Sequence, residues 1–342
     1  MLLVKLLLKS LWTVFIKTPR VAQFALTNRC NGRCKVCSIW KQKTKVTVSL
    51  KDGLHVIDRL AKMGILQLTF TGGEPLMNPH VYSFIRRARN HGMMTSVCVG
   101  DPRLVNQTSL NKMKKSGLNI LSISMDTDTS ELNDELRGIK NSFQHYKRIV
   151  SLVKNSYIAL IAAPTITEYT WDRIPQILAA ARNLGFHFIN ISYPTQSLSE
   201  TFQIGGEGTS HISLSNEKII QSIDFLLAHI NNGNFPYISN PKISLENIRK
   251  YLVDPKSVDH QCLGGWQVFS IDWFCNVYSC WRSSTNLGSM LDPDFTLKKR
   301  THNACIMSWF RDFSSLFHVD RKAFFLHMAP YLYRHFMAKM KA

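Results

Sequence analysis

The chain has 342 residues, 45% hydrophobic and 19% charged, which excludes wholesale disorder and supplies apolar side chains for one large α/β barrel with an appendage or two ordinary domains. Its 42 Lys and Arg against 23 Asp and Glu leave a formal charge of +19. That excess admits a nucleic acid, an acidic membrane surface or a polyanionic substrate as partner, and equally a basic surface that only aids solubility. Eight cysteines, clustered rather than evenly spread, argue against a secreted disulfide scaffold and for metal ligation in a reducing, cytoplasmic compartment.

Residues 1–16 are mostly apolar, but Lys5 and Lys9 interrupt a run already shorter than the roughly 20 residues of a spanning helix, and no small-residue cleavage site follows. Lys5, Lys9, Thr13 and Lys17 recur every fourth residue opposite Leu2, Leu3, Leu6, Leu7, Trp12 and Phe15. Residues 1–19 therefore read as an amphipathic helix, either peripheral on the inner face of a membrane or packed on the body of the protein. Val21 to Thr27 alternates like a strand. At its end, Cys30, Cys34 and Cys37 place three thiols at C-x3-C-x2-C spacing. Thiolates select zinc, copper(I) or iron–sulfur clusters over hard cations, and three of them leave the fourth position of a tetrahedral site unfilled.

Ser49 is an N-cap for a helix with repeat Leu50, Leu54, Ile57 and Leu60, and Gly64 suits its C-cap. Ile65 to Thr71 reads as a second strand, stopped by Gly72-Gly73-Glu74-Pro75. Helices at 79–90, 109–115, 143–153 and 171–184 then alternate with strands at 95–99, 118–125, 157–163 and 186–193. Six strands in this pattern predict parallel βαβ units, in an open doubly wound sheet or a (β/α) barrel. A barrel collects its chemistry at the C-terminal ends of its strands, which would bring Cys30 to Cys37, Gly72 to Pro75 and Ser124 to Asp126 to one mouth.

From Pro194 to about Ser213 the chain is rich in Ser, Thr and Gly, a linker or a loop over that mouth. A helix at 216–230 follows, and then Cys262, Cys275, Cys280 and Cys305 stand among aromatics. From Phe317, the apolar residues Phe324, Phe325, Met328, Tyr331, Leu332 and Phe336 alternate with Arg321, Lys322, Arg334 and Lys339. This is a second amphipathic helix, interfacial or core-packed, kinked or divided by Pro330.

The three-cysteine loop after a first strand, with Gly72-Gly73-Glu74-Pro75 after the second, resembles the radical S-adenosylmethionine (SAM) superfamily. Over residues 20–193 the resemblance implies a partial (β/α)6 TIM-like barrel. It implies that Cys30, Cys34 and Cys37 hold three irons of a [4Fe–4S] cluster whose fourth iron binds SAM. It further implies that Gly72, Gly73, Glu74 and Pro75 contact the methionine amino group, that Ser124 and Asp126 lie near the ribose, and that Arg137 lies near the carboxylate. The activity implied is reductive cleavage of SAM, with electrons from a flavodoxin or ferredoxin, to a 5′-deoxyadenosyl radical that abstracts hydrogen from a substrate. An aromatic residue usually precedes the third cysteine in the family, where this chain has Val36.

Cys262 and Cys280 resemble the start of a SPASM or twitch extension, which binds auxiliary clusters. One auxiliary cluster at most is implied, on Cys262, Cys280, Cys305 and Cys275, the last standing where the pattern has a glycine. The expected organisation is an amphipathic helix at 1–19, a barrel at 20–235, a small cysteine-containing extension at 236–316 and an amphipathic helix at 317–342.

The residues leave other readings open. Cys34 and Cys37 alone could form a redox C-x-x-C pair, and three or four thiolates could hold structural zinc in a non-catalytic protein. Cys98 reads as a buried small hydrophobe. For the substrate, the basic amphipathic ends favour a lipid or isoprenoid at the membrane. Peptide maturation is the alternative, although the segment before residue 20 is too short for a leader-binding domain. RNA modification would use the positive charge but brings no RNA-binding signature.

Overall fold

The computed structural model describes residues 20–193, 214–232, 238–258, 262–300, 306–319 and 330–331. Strands β1 (Arg20–Ala25), β2 (Ile65–Thr71), β3 (Met94–Val99), β4 (Ile120–Ile123), β5 (Ala159–Ala162) and β6 (Phe188–Ile189) pair in parallel, each with the next. Helices α1 (Leu50–Lys62), α2 (Val81–Asn90), α3 (Gln107–Ser116), α4 (Ser130–Arg137), α5 (Ser142–Val153) and α6 (Ile174–Leu184) fill the crossovers. Strands β7 (Val268–Ile271), β8 (Asn276–Tyr278) and β9 (Asn286–Ser289) follow α7 (Asn216–Asn231) and α8 (Lys242–Val253), and α9 (Ser308–Val319) comes last.

The sheet order is β6-β5-β4-β3-β2-β1-β7-β8-β9, so β6 and β9 are its edges and the barrel is partial, as expected. The extension continues the sheet. Strand β7 lies parallel beside β1, with Val21 opposite Val268 and Phe24 opposite Ile271, and β8 and β9 add antiparallel to it. The expected boundary at 316/317 falls inside α9. The 1–19 helix, residues 194–213, Cys305 and most of the 317–342 helix lie outside the described residues.

Alternation along the strands sorts their side chains onto two faces. Ala22, Phe24, Leu68, Phe70, Val97, Leu121 and Leu160 join one core with Ile57, Leu60, Phe84, Leu110, Ile149 and Ile177 from the covering helices. Each such fully buried aliphatic side chain contributes about 1.5–3 kcal/mol. Val21, Met94, Ile120, Ala159, Ile161 and Val268 face the other way and meet Phe310, Phe313, Leu316 and Phe317 of α9. One helix therefore covers part of the sheet's inner face. It is fastened near β6 through Asp312, whose carboxylate accepts hydrogen bonds from Ser244 Oγ and Asn240 Nδ2, while Asn240 also bonds both backbone groups of Ile191.

Candidate active site

The cysteine loop is held from two sides. On one, Gly73 N–H donates to Thr27 O and Glu74 N–H to Arg29 O, each at 2.7 Å. Gly72 takes φ 131°, and a Cβ there would stand 2.4 Å from Thr27 O, while one on Gly73 would stand 2.4 Å from Arg29 O. Only glycine lets the β2 turn approach the cysteine loop so closely. On the other side, Arg33 N–H donates to Arg137 O at 3.2 Å, Lys35 N–H to Leu136 O at 2.9 Å, and Lys35 pairs with Glu135 at 2.5 Å. Helix α4, absent from the sequence reading, thus docks the loop. Its signals were Glu131 in the first turn and Gly138 as a left-handed C-cap.

Within the loop the sulfurs of Cys34 and Cys30 flank one point, 3.2 and 3.6 Å from where a Cβ on Gly32 would lie. Cys30 Sγ accepts the Gly32 N–H and Cys37 Sγ the Ile39 N–H, while Cys34 Sγ meets Arg137 O at 3.4 Å. Burial pushes the Cys30 thiol up to about 11 and Cys37 to about 12. Burial also raises Cys34, with the nearby Arg137 charge opposing. Metal ligation would deprotonate all three. Among the described residues no three His, Cys, Asp or Glu side chains close on a single ion. A lone zinc would need every sulfur about 2.3 Å from one centre, whereas a four-iron cluster binds each thiolate to a different iron and asks for a wider spacing. Two thiols flanking one point with a third as their electrostatic neighbour, and N–H groups already directed at the Cys30 and Cys37 sulfurs, fit the cluster.

The other predicted residues surround this loop. Glu74 is fully buried, and its carboxylate accepts N–H groups from Leu76 at 3.1 Å, Gly100 at 2.9 Å and Asp101 at 2.8 Å. It therefore clips the turn after β2 to the end of β3. Burial raises it to about 7 against those three donors. Pro75 starts the short 3-10 turn that Glu74 caps. Asp126, also fully buried, accepts the Thr165 N–H at 2.9 Å and Arg137 Nη1 at 3.1 Å. Burial opposes the Arg137 charge, but the Cys34 sulfur and the Asp126 carboxylate outweigh it and hold the guanidinium above its ordinary range. Its Nε is buried without a hydrogen-bond partner, a donor left over beside the cysteine loop. Ser124 is half-buried at the end of β4, and its carbonyl accepts the Tyr146 hydroxyl at 2.7 Å.

Asn133 and Tyr146 were missed in the sequence. Asn133 accepts the Asp126 N–H and donates to Tyr146, so the two set the strand end that carries Ser124 and Asp126. No local motif marks them, because they meet only after α4 and α5 pack.

The second cysteine group is partly assembled. Cys262 and Cys280 are electrostatic neighbours, with Gly264 N–H on Cys262 Sγ at 3.4 Å and the Arg282 and Ser283 N–H groups on Cys280 Sγ. Cys275 stands apart in the main core, near Asp52 and Asp272, with φ 66° where the resembling pattern has glycine.

Residues 24–181 match the family described as the Radical SAM superfamily. An AdoMet-dependent heme synthase of Oleidesulfovibrio alaskensis is 27% identical over 170 residues, 48% of this chain and 43% of that protein. A PqqA peptide cyclase of Granulibacter bethesdensis is 24% identical over 172 residues, 50% of this chain and 46% of that protein. The chain thus spans less than half the length of these curated relatives. In fold it is similar to Streptococcus suis SuiB bound to S-adenosylmethionine, with TM-score 0.62 and 12% identity over 81% of this chain and 65% of that one. It is similar also to anSMEcpe with bound AdoMet and Cp18Cys peptide, with TM-score 0.62 and 15% identity over 94% of this chain and 99% of that one.

Proposed function

We propose that this chain, whose residues 24–181 match the Radical SAM superfamily, is a radical SAM enzyme acting at the mouth formed by the Cys30, Cys34 and Cys37 loop. The observation that carries the reading is the double fastening of that loop, by the Gly72-Gly73 turn and by Arg137, with the Cys30 and Cys34 sulfurs flanking one point and Cys37 as their electrostatic neighbour. Cys30, Cys34 and Cys37 would hold the cluster. When bound there, the cluster would supply the electron for reductive cleavage of SAM and so the means of hydrogen abstraction from a substrate.

The chain's own residues bind and orient. Glycines without side chains leave the Gly72 to Pro75 backbone open to the methionine group, and Glu74, with one carboxylate lone pair uncommitted after three N–H bonds, suits its ammonium. Arg137, immobilised by Asp126, carries an Nε without a hydrogen-bond partner that suits a carboxylate, and Ser124, half-buried after β4, is proposed as the ribose contact. Burial of Glu74, Asp126 and Arg137 keeps water from these charges. A flavodoxin or ferredoxin would serve as reductant. Anaerobic reconstitution with iron and sulfide, followed by dithionite and SAM, tests the reading by release of 5′-deoxyadenosine.

Cys262 and Cys280 are proposed as ligands of an auxiliary cluster, completed by Cys305. Cys275 lies too deep in another core to be the first choice as fourth ligand. For the substrate, the amphipathic ends support a lipid or isoprenoid at a membrane surface. No described helix is long and apolar enough to cross a membrane. An amide-bearing substrate such as a peptide is the second reading, favoured by the inner face of the sheet.

A further inference from the structure

The strand side chains on the inner face of the sheet are uncharged, and several of them are polar. Register places Val21, Gln67 and Met94 in one row, Gln23, Thr69 and Ser96 in the next, and Cys98, Ser122 and Ile161 in a third nearer the mouth. Among the described residues no Asp, Glu, Lys, Arg or His faces inward on β1 to β6. Gln23, Gln67 and Ser96 are buried on this face, as are Phe24, Leu68, Val97 and Leu160 on the opposite one. Cys98, Ser122 and Ser124 are half-buried, so the face opens towards the cysteine loop.

Two amides in this concavity are incompletely paired. The Trp281 indole, a donor only, bonds Gln23 Oε1, which fixes the Gln23 oxygen and leaves its Nε2 as a donor. Gln67 Nε2 donates to Thr69 Oγ1 at 3.4 Å, and its Oε1 is buried with no hydrogen-bond partner. A buried acceptor left unmade is costly and asks for a donor. Gln67 stands opposite Val21, two residues before Gln23, so the two glutamines are diagonal neighbours on adjacent strands. Together they offer one donor and one acceptor, the complement of a carboxamide or peptide amide.

We propose that Gln23 and Gln67 bind an amide group of the substrate inside the sheet, below the cysteine loop. This rests on the reading that radical chemistry takes place at that mouth. Hydrogen bonding there favours a neutral amide, because a carboxylate would meet the Gln67 oxygen without a donor of its own and no inward side chain of β1 to β6 offers an ammonium a countercharge.

The test is saturation-transfer NMR on the full chain, reconstituted anaerobically and kept without reductant, with propionamide, propionate and propylammonium as matched probes. Propionamide should receive the signal, and Gln67→Leu should weaken it by about tenfold, the loss of one buried hydrogen bond. Thermal unfolding of Gln67→Leu should be no lower than that of the parent chain, since an unpaired buried oxygen is removed. Gln67→Glu keeps the shape and should turn the preference to propylammonium, and it decides the matter if Gln67→Leu does not fold. Equal propionamide signals on the parent chain and the variant, or equal signals from all three probes, overturn the proposal. Amide binding without 5′-deoxyadenosine formation would remove the radical reading alone, and deoxyadenosine formation without amide binding would remove the pocket alone.

Discussion

Arg137 Nη1 donates to Asp126 Oδ2 at 3.1 Å, and this buried pair joins the end of β4 to the last residue of α4, whose carbonyl in turn meets the Cys34 sulfur. Removing one partner leaves an uncompensated buried charge, which costs about 3–5 kcal/mol. Arg137→Leu should therefore lower stability by that order and reduce iron uptake. Asp126→Asn keeps one acceptor oxygen but leaves the Arg137 charge unpaired, so it should cost a similar amount. Urea unfolding with iron counting measures both, and small losses for both would show that the pair does not hold the loop.

The turn after β2 gives a steric prediction. In Gly73→Ala the new methyl meets Arg29 O, so the cysteine loop must move, at a cost of about 1–3 kcal/mol typical of overpacking. Iron incorporation should fall while the far-ultraviolet circular dichroism of the barrel persists. Unchanged iron content in Gly73→Ala would separate the turn from the cluster site.

Three buried carboxyls set a pH dependence. Burial raises Asp312 to about 7, Glu74 to about 7 and Asp272 to about 6. Between about pH 4 and 7 the folded chain retains protons that the unfolded chain has released, so stability falls as pH rises through that window, by up to about 1.4 kcal/mol per pH unit for each proton. Asp312→Asn should flatten this slope. Unfolding midpoints from pH 5 to 8 provide the measurement, and parallel slopes for parent and variant would exclude Asp312 as a contributor.

The amphipathic reading of residues 1–19 predicts that deleting residues 1–16 lowers binding to vesicles containing phosphatidylglycerol, more at low salt than at high. Sedimentation with such vesicles reads this directly. Binding unchanged by the deletion would reject that segment as the membrane contact.

Much of the architecture was legible where periodicity is strong. Ile65 to Thr71 forms β2 at the expected bounds, and the expected helices at 109–115 and 216–230 appear as Gln107–Ser116 and Asn216–Asn231. Strand ends were less so. The run 186–193 yields only Phe188–Ile189, because after Asn190 the ladder is interrupted where Ile191 N–H donates to the Asn240 side chain, before Ser192 N–H meets Pro164 O. The pairing of β7 with β1 joins residues nearly 250 apart in sequence, and no local pattern encodes such a contact. At the site, the cysteines and glycines were readable because their chemistry is local. The role of Glu74 as a clip on Gly100 and Asp101, and the uncharged inner face lined by Gln23 and Gln67, depend on strand register, which the sequence leaves open.

The most direct test of the account compares the anaerobically reconstituted chain with a variant in which Cys30, Cys34 and Cys37 are all alanine, measuring iron, sulfide and 5′-deoxyadenosine after addition of dithionite and SAM. The account predicts deoxyadenosine from the parent chain, none from the variant, and a loss of about four irons, with any iron on Cys262 and Cys280 remaining. An iron-loaded parent chain that releases no deoxyadenosine, or one that takes up zinc in place of iron, would contradict it.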